Sequence, residues 1–372
     1  MRSFVFAIGV VLAATLVALA KPGLRDPDST LYAAMSSSLA MQPLSKWLVP
    51  EWPEGRQKSG RFVEHTAVTL WPGAALERIG VTPGAQVANV LCAGLLLWLV
   101  GVLAERLAAG TRSLAFAAWG ASIVCIQYWT RANHEVWWAA AALGVLCVIA
   151  ANRHWLWAAA CVGLACAFKG VLGLDVVVLA LPLAWVLRGR AWTLTWGVAS
   201  LVFSVVLLVA YDSAYRSQTG IGFVEAYLDT QLNYVGQIER HPWWLKPWNV
   251  VLYLGKAAFF SLPGTLLLLA NFKRVRVSPV GPLLLGSLLV VLGTSLMSRH
   301  AARYIFPVYP VLAVAGAVVA RHAAITAWLK TREQFVLLAV GVLVTARVLF
   351  ASAVYTPMNV LPGIPIQQRE AK

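Results

Sequence analysis

The sequence predicts an all-α polytopic membrane protein, and three observations carry that reading. Sixty per cent of the residues are hydrophobic and 12% are charged, with a mean hydropathy of +0.72, more apolar surface than a water-soluble core can use. Apolar runs recur along the chain, many of them close to the ~20 residues that cross a hydrocarbon core. The ~10-residue alternating segments of a transmembrane barrel are absent.

The spans follow in order. Residues 1–20 join Arg2 to a long apolar run and then Ala-Leu-Ala before Lys21. A signal peptide has that outline, but the run is long for one and many spans follow, so 3–20 reads as the first transmembrane helix. Further spans are expected at about 86–104, 113–128, 134–151, 155–168, 172–187, 192–211, 249–271, 278–297, 303–320 and 335–352, about eleven helices in all. The run at 155–168 is short and reads as tilted or half-buried in protein.

Two long connections carry short helices of their own. In 21–85, Tyr32 to Leu39 suits a helix, Pro50 to Gly60 is turn-rich, and Thr69 to Ile79 suits an interfacial helix with Trp71 at the boundary. In 212–248, apolar residues at 224, 227, 228, 231 or 232, and 235 form one stripe of a helix lying in the membrane plane. There is no internal repeat and no low-complexity tail. Residues 1–372 therefore read as one transmembrane domain with no separate soluble domain.

The net charge of +15 comes from basic residues dispersed over short loops, without a long basic run, which excludes nucleic acid as the main partner. In a membrane protein such residues report topology. With the N-terminus inside, the short cytoplasmic connections carry Arg106, Arg112, Arg153, Arg188, Arg190, Lys273, Arg274, Arg276, Arg321, Lys330 and Arg332. The same topology sends Asp26, Asp28, Glu64, His65, Arg131, Glu135, Lys169, His241 and Arg299 to Arg303 to the outer face. None of these residues set the orientation, so their convergence points to an extracytoplasmic site. The five cysteines all fall in apolar runs without metal-type spacing and read as buried structural thiols.

The organising stretch is Arg25-Asp26-Pro27-Asp28-Ser29-Thr30-Leu31-Tyr32, in a chain with only 15 acidic residues among 372. Two carboxylates stand at the mouth of the first span. They suit a helix cap, and capping is compatible with chemistry. Arg61-Phe62-Val63-Glu64-His65 brings a further acid and a histidine that takes a proton or, once charged, holds a phosphate. Tyr128 to Glu135 is a short outer loop in which Glu135 can orient a cation or a sugar hydroxyl. In Phe168-Lys169-Gly170, glycine lets the backbone turn so that the ammonium points at an anion; a snorkelling lysine is the plain alternative.

His241-Pro242-Trp243-Trp244 closes the second long loop as a rigid amphipathic platform. Lys256 lies about eight residues, hence ~12 Å, beyond Trp248, at a depth where a lysine is costly unless paired. Arg299, His300 and Arg303 precede Tyr304, and the two arginines share a face if helical, which suits a phosphate at headgroup level. Acids opposed by cations at the bilayer surface suit transfer from a lipid-linked phosphate donor.

These stretches, in this order, resemble the C-type integral-membrane glycosyltransferases: Asp28 to Tyr32, Arg61 to His65 leading to Trp71, Phe168-Lys169-Gly170, His241 to Trp244, and Arg303 to Pro310. The branch they resemble holds protein O-mannosyltransferases and the lipid A aminoarabinose transferase. The resemblance implies an inverting glycosyltransferase in a bacterial cytoplasmic membrane, with a polyprenyl-phosphate sugar as donor and a lipid, glycan or protein as acceptor. It places the catalytic acid of the first loop on Asp28, with Asp26 and Glu64 as further candidates. Lys169, His241, Arg299, His300, Arg303 and Lys256 are expected to hold the donor phosphate. Tyr32, His65, Arg131, Glu135, Trp243 and Tyr304 are expected to bind substrate.

The chain departs from the family in having Glu64-His65-Thr66 where Glu-Lys-Pro is common, and Glu135 where the second outer loop usually offers an aspartate. It is also expected to lack the soluble C-terminal domain of many relatives, which leaves acceptor recognition to the loops or to an accessory membrane protein. No cofactor is called for. Asp26-Pro27-Asp28 could bind a divalent ion, but no metal is required. The alternative is a transporter or flippase of lipid-linked sugars or other lipids, for which Asp175 and Lys256 are the residues to watch.

Overall fold

In the computed structural model of the chain, residues 9, 27–51, 62–63, 65–229, 246–277, 279–296 and 301–354 are described, and every regular element among them is helical. The expected first span at 3–20, apart from Gly9, lies outside the described residues, as does most of the turn-rich stretch from Pro50 to Gly60.

The first long connection folds into α1 (Pro27–Ala40) and α2 (Trp71–Arg78). Proline in the first turn of α2 fits a helix start, because its missing N–H has no intrahelical partner there anyway. The Trp71 indole N–H donates to the Trp47 carbonyl at 2.9 Å and ties the two halves of the loop together. Helix α3 (Gly84–Leu107) then runs to the opposite end of the bundle.

The chain returns through α4 (Arg112–Gly120) and α5 (Ile123–Tyr128). The single span expected at 113–128 is broken in two: Ser122 leaves the helix, and its hydroxyl accepts from the Cys125 N–H at 3.2 Å, capping α5. Helix α6 (Glu135–Ala150) goes away from this end and α7 (Trp155–Lys169) comes back, so Glu135 and Lys169 share one end. Lys169 closes α7, and Gly170 (φ 63°) turns the chain in a left-handed conformation that glycine adopts at little cost.

Helix α8 (Asp175–Thr219) breaks at one residue, Gly189 (φ 79°, ψ 171°), so that 175–188 and 190–219 act as two helices in place of the two expected spans. Arg188 reaches the Arg153 carbonyl at 3.3 Å, at the end of the bundle away from Lys169. The half 190–219 exposes Leu194, Val198, Leu201, Val202, Val205, Val206 and Val209, an apolar face that suits lipid.

The short α9 (Phe223–Leu228) packs on the end of α8. Phe223 is buried and Leu228, on the expected apolar stripe, is exposed; positions 231, 232 and 235 of that stripe lie outside the described residues. An aromatic cluster of Tyr211, Tyr215, Phe223 and Tyr227 holds the helix on α8.

Helices α10 (Lys246–Phe260) and α11 (Gly264–Ala270) replace one expected span and bend by 100° at the break containing Pro263. The bundle ends with α12 (Val280–Ser295), α13 (Val308–Val319), α14 (Ala324–Lys330) and α15 (Glu333–Val354). A Cβ on Gly286 of α12 would stand 2.0 Å from the Leu179 carbonyl oxygen, so α12 and α8 cross backbone to backbone. The core lies among α3, α6, α7 and α13, whose facing residues are almost fully buried. Among the described residues two stretches are long and apolar enough to cross a membrane, Gly84–Leu107 and Trp155–Thr219, or up to four if each bent pair is one span. The latter stretch contains α7 and both halves of α8.

Candidate active site

The site grows from the ends of α6 and α7. Glu135 opens α6 and Lys169 closes α7, so each charge sits at the helix end whose dipole favours it. The Lys169 Nζ lies 3.2 Å from Glu135 Oε1, and both side chains are 1% exposed. The ammonium also meets His134 Nε2, and that nitrogen stands 3.2 Å from the same Glu135 oxygen. The Trp138 and Tyr304 rings face the ammonium at 5.5 and 5.7 Å, adding cation–π attraction.

A buried lysine is tolerated only with such company, and here a carboxylate, an imidazole and two ring faces supply it.

The first loop brings His65 over this cluster, with its ring 4.1 Å from that of His134. Its backbone is pinned on both sides. The Thr66 hydroxyl donates to the Ala167 carbonyl near the end of α7. The Tyr211 hydroxyl accepts from the Ala67 N–H at 3.0 Å and donates to the Leu48 carbonyl at 2.8 Å.

Helix α1 is fixed to the second loop: the Ala132 N–H donates to the Ser29 hydroxyl at 3.1 Å, and Tyr32 meets His134 edge to face at 5.6 Å. Asp28 lies one turn before Tyr32 in α1, and its side chain is outside the described set.

Burial sets the charge state of the two histidines. Desolvation holds His65 well below the usual histidine range; the neighbouring His134, Lys169 and Arg303 push the same way, and Glu135 opposes them. Desolvation also lowers His134, with Lys169 and Arg303 adding to it and Glu135 opposing. Both rings are therefore neutral near pH 7. Two ring nitrogens, His65 Nδ1 and His134 Nδ1, and one carboxylate oxygen, Glu135 Oε2, are buried without a hydrogen-bond partner among the described residues.

Of the residues singled out from the sequence, Tyr32, His65, Glu135, Lys169, Arg303 and Tyr304 come together here. Arg303 interacts electrostatically with both histidines and Glu135, and its guanidinium lies 5.9 Å from the Tyr304 ring. Lys256 stands further out over the Tyr253 ring at 5.4 Å, and Tyr253 interacts with Tyr304. Arg131 lies over the Tyr128 ring at 4.5 Å, three residues from His134. Asp26, Glu64, His241, Trp243, Arg299 and His300 lie outside the described residues.

The sequence reading passed over His134, which touches Lys169, Glu135, His65 and Tyr32. The available signal was its place beside an acid at a helix start. No group of three or more His, Cys, Asp or Glu suited to a metal ion occurs among the described residues.

No known family profile matches the sequence, and no curated protein matches it. Solved structures do match the fold. ArnT from Cupriavidus metallidurans, a lipid A aminoarabinose transferase, superposes in its apo state with a TM-score of 0.66 at 16% identity over 88% of this chain. The same protein bound to undecaprenyl phosphate gives 0.65 at 18% identity. The Archaeoglobus fulgidus oligosaccharyltransferase, in complex with Zn and sulfate, gives 0.55 at 16% identity, covering 99% of this chain and 54% of its own. The match spans 61% of the ArnT chain. With its apolar helices and this likeness, the chain is an integral membrane protein with the fold of the C-type integral-membrane glycosyltransferases.

Proposed function

We propose that the chain is an inverting glycosyltransferase. It moves a sugar from a polyprenyl-phosphate donor to a lipid, glycan or protein acceptor on the extracytoplasmic face of a bacterial inner membrane. The observation that carries this reading is the buried His65–His134–Glu135–Lys169 cluster, with Arg303 and Tyr304 against it, beside the anchored start of α1. Two further observations support it. A neighbour of the same fold binds undecaprenyl phosphate. An apolar cleft of about 410 Å³ also runs between Trp71 and Val68 of the first loop, Ala167 and Gly170 at the end of α7, and Leu201 to Ala214 of α8, and suits a prenyl chain.

In this reading Asp28 is the base that deprotonates the acceptor hydroxyl, with Asp26 and Glu64 as the other candidate acids. Lys169 and Arg303, joined by Lys256, His241, Arg299 and His300, hold the donor phosphate. Their positive charge stabilises the negative charge that builds on the leaving oxygen as the glycosidic bond breaks. Tyr32, His65, Arg131, Glu135, Trp243 and Tyr304 shape the substrate pocket. The loops 21–85 and 212–248, or an accessory membrane protein, recognise the acceptor.

A transporter of lipid-linked sugars is the second reading, because Asp175 interacts with Lys169 and extends the polar set along α8. A transport site would lie near the midplane between repeated halves; the described cluster instead gathers at the helix ends.

The test is transfer. Purified protein in detergent is given a radiolabelled polyprenyl-phosphate-sugar pool from host membranes. Label passing to an acceptor or to water supports the enzyme. Donor bound but never turned over supports the transporter.

A further inference from the structure

The two histidines pose a question that the phosphate-holding role of Lys169 and Arg303 does not answer. Arg303 is a permanent cation, the Lys169 ammonium is paired with Glu135, and Glu135 is the described acid facing both. His65 and His134 pack ring to ring at 4.1 Å between these charges, each with a buried Nδ1 that no described group satisfies. The groups facing them come from every packed element: Tyr32 of α1, Glu135 of α6, Lys169 of α7, and Arg303 of the segment 302–305. A further fixed cation here would be buried beside the Arg303 guanidinium and the Lys169 ammonium. An imidazole is a cation that can be discharged.

The proposed reaction changes the charge at this place. The donor is a phosphodiester with one negative charge. When the sugar C1–O bond breaks, its electron pair goes to the phosphate oxygen. The acceptor oxygen bonds to C1 and gives its proton to the carboxylate. The lipid left behind is a phosphate monoester, whose second ionisation lies near pH 6 and whose charge approaches −2 at pH 7. The phosphate therefore carries one more negative charge after transfer than before, while the carboxylate is neutralised by the acceptor's proton.

Resting on the glycosyltransferase reading above, we infer that the His65–His134 pair takes up one proton from water when the phosphate beside it becomes a monoester dianion. The pair thereby discriminates the spent carrier lipid from the sugar-loaded donor by charge. One proton is shared by the pair, because two adjacent imidazolium ions beside Lys169 and Arg303 would repel. The neutral pair leaves room for a monoanionic donor; the charged pair neutralises the product phosphate as it forms.

The test is the proton count on binding, measured by titration calorimetry in buffers of different ionisation enthalpy at pH 7. The probes are farnesyl phosphate, a short prenyl monoester, and its methyl diester. The expected result is uptake of about one proton with the monoester and none with the diester. The monoester uptake falls to near zero in His65→Gln/His134→Gln.

The phosphate could take the proton itself, so phosphorus-31 resonance of the bound monoester is followed with pH in the wild type. A dianion spectrum persisting below pH 6 supports the histidines as the proton's home. A monoanion spectrum overturns the inference, and needs no variant to do so. Binding of the monoester without proton uptake also overturns it while leaving the glycosyltransferase reading intact. No binding of either probe to the wild type removes both.

Discussion

Replacing Glu135 by glutamine isolates the charge that keeps Lys169 buried. At 3.2 Å, with both side chains almost wholly shielded, the attraction is about 5 kcal/mol at an effective dielectric constant near 20. Glutamine keeps one carbonyl oxygen for the ammonium, and the neutral amide costs less to bury than the carboxylate did. The net loss should therefore fall near 3 kcal/mol, within the usual range for breaking a buried pair from one side. At about 2 °C per kcal/mol for a large domain, the melting temperature in detergent should fall by ~6 °C. Lys169→Met in the Glu135→Gln background removes the stranded cation. The double variant should recover at least half of the loss, a coupling of roughly 1.5 kcal/mol or more. A melting temperature within ~1 °C of wild type for Glu135→Gln, or strictly additive single effects, would refute the buried pair as the anchor of the site.

Tyr211→Phe removes the hydroxyl that serves both the Ala67 N–H and the Leu48 carbonyl. About 1–3 kcal/mol of stability should go with it, with faster hydrogen exchange across 65–70. Gly286→Ala places a Cβ against the Leu179 carbonyl, where neither backbone can yield; α8 and α12 must part, and a loss of about 3 kcal/mol should appear as poor yield of monodisperse protein. The pH dependence of melting tests the histidines. Their folded pKa values lie below the unfolded value near 6.5, so the unfolded chain takes protons first as pH falls. Stability should be full above pH 7 and decline from pH 7 towards pH 5, and His65→Gln/His134→Gln should flatten that slope.

The helices were readable because lipid-crossing segments are written as continuous apolar runs, and the structure starts or ends many of them within a few residues of the runs. What was not readable is where a run breaks. The 113–128 run carries no proline, and Ser122 ends a helix there by capping the next one. Pro263 in the 249–271 run is visible, but a proline alone does not announce a bend of 100°; the helix beyond it, α11, packs against α13. In 223–228 the helix is held by tertiary aromatic contacts, Phe223 on Tyr211 and Tyr215, which periodicity along the chain does not show.

In the site, Lys169, Glu135, His65 and Arg303 stand out in the sequence as charged or titratable residues that the expected topology gathers on one face. His134 did not, because a histidine in a short polar loop carries no periodicity. Its role exists only once α6 and α7 bring their ends together around it. The family resemblance is what places the acid on Asp28; α1 begins at Pro27, with Asp28 one turn before Tyr32, which packs on His134.

The most direct test of the account is the transfer rate of Asp28→Asn beside the wild type, with donor binding measured on the same preparations. The account expects the wild type to move label from a polyprenyl-phosphate sugar, and the variant to bind the donor with little change while losing at least about a hundredfold in transfer. Equal transfer by the two proteins would contradict it and take Asp28 out of the chemistry.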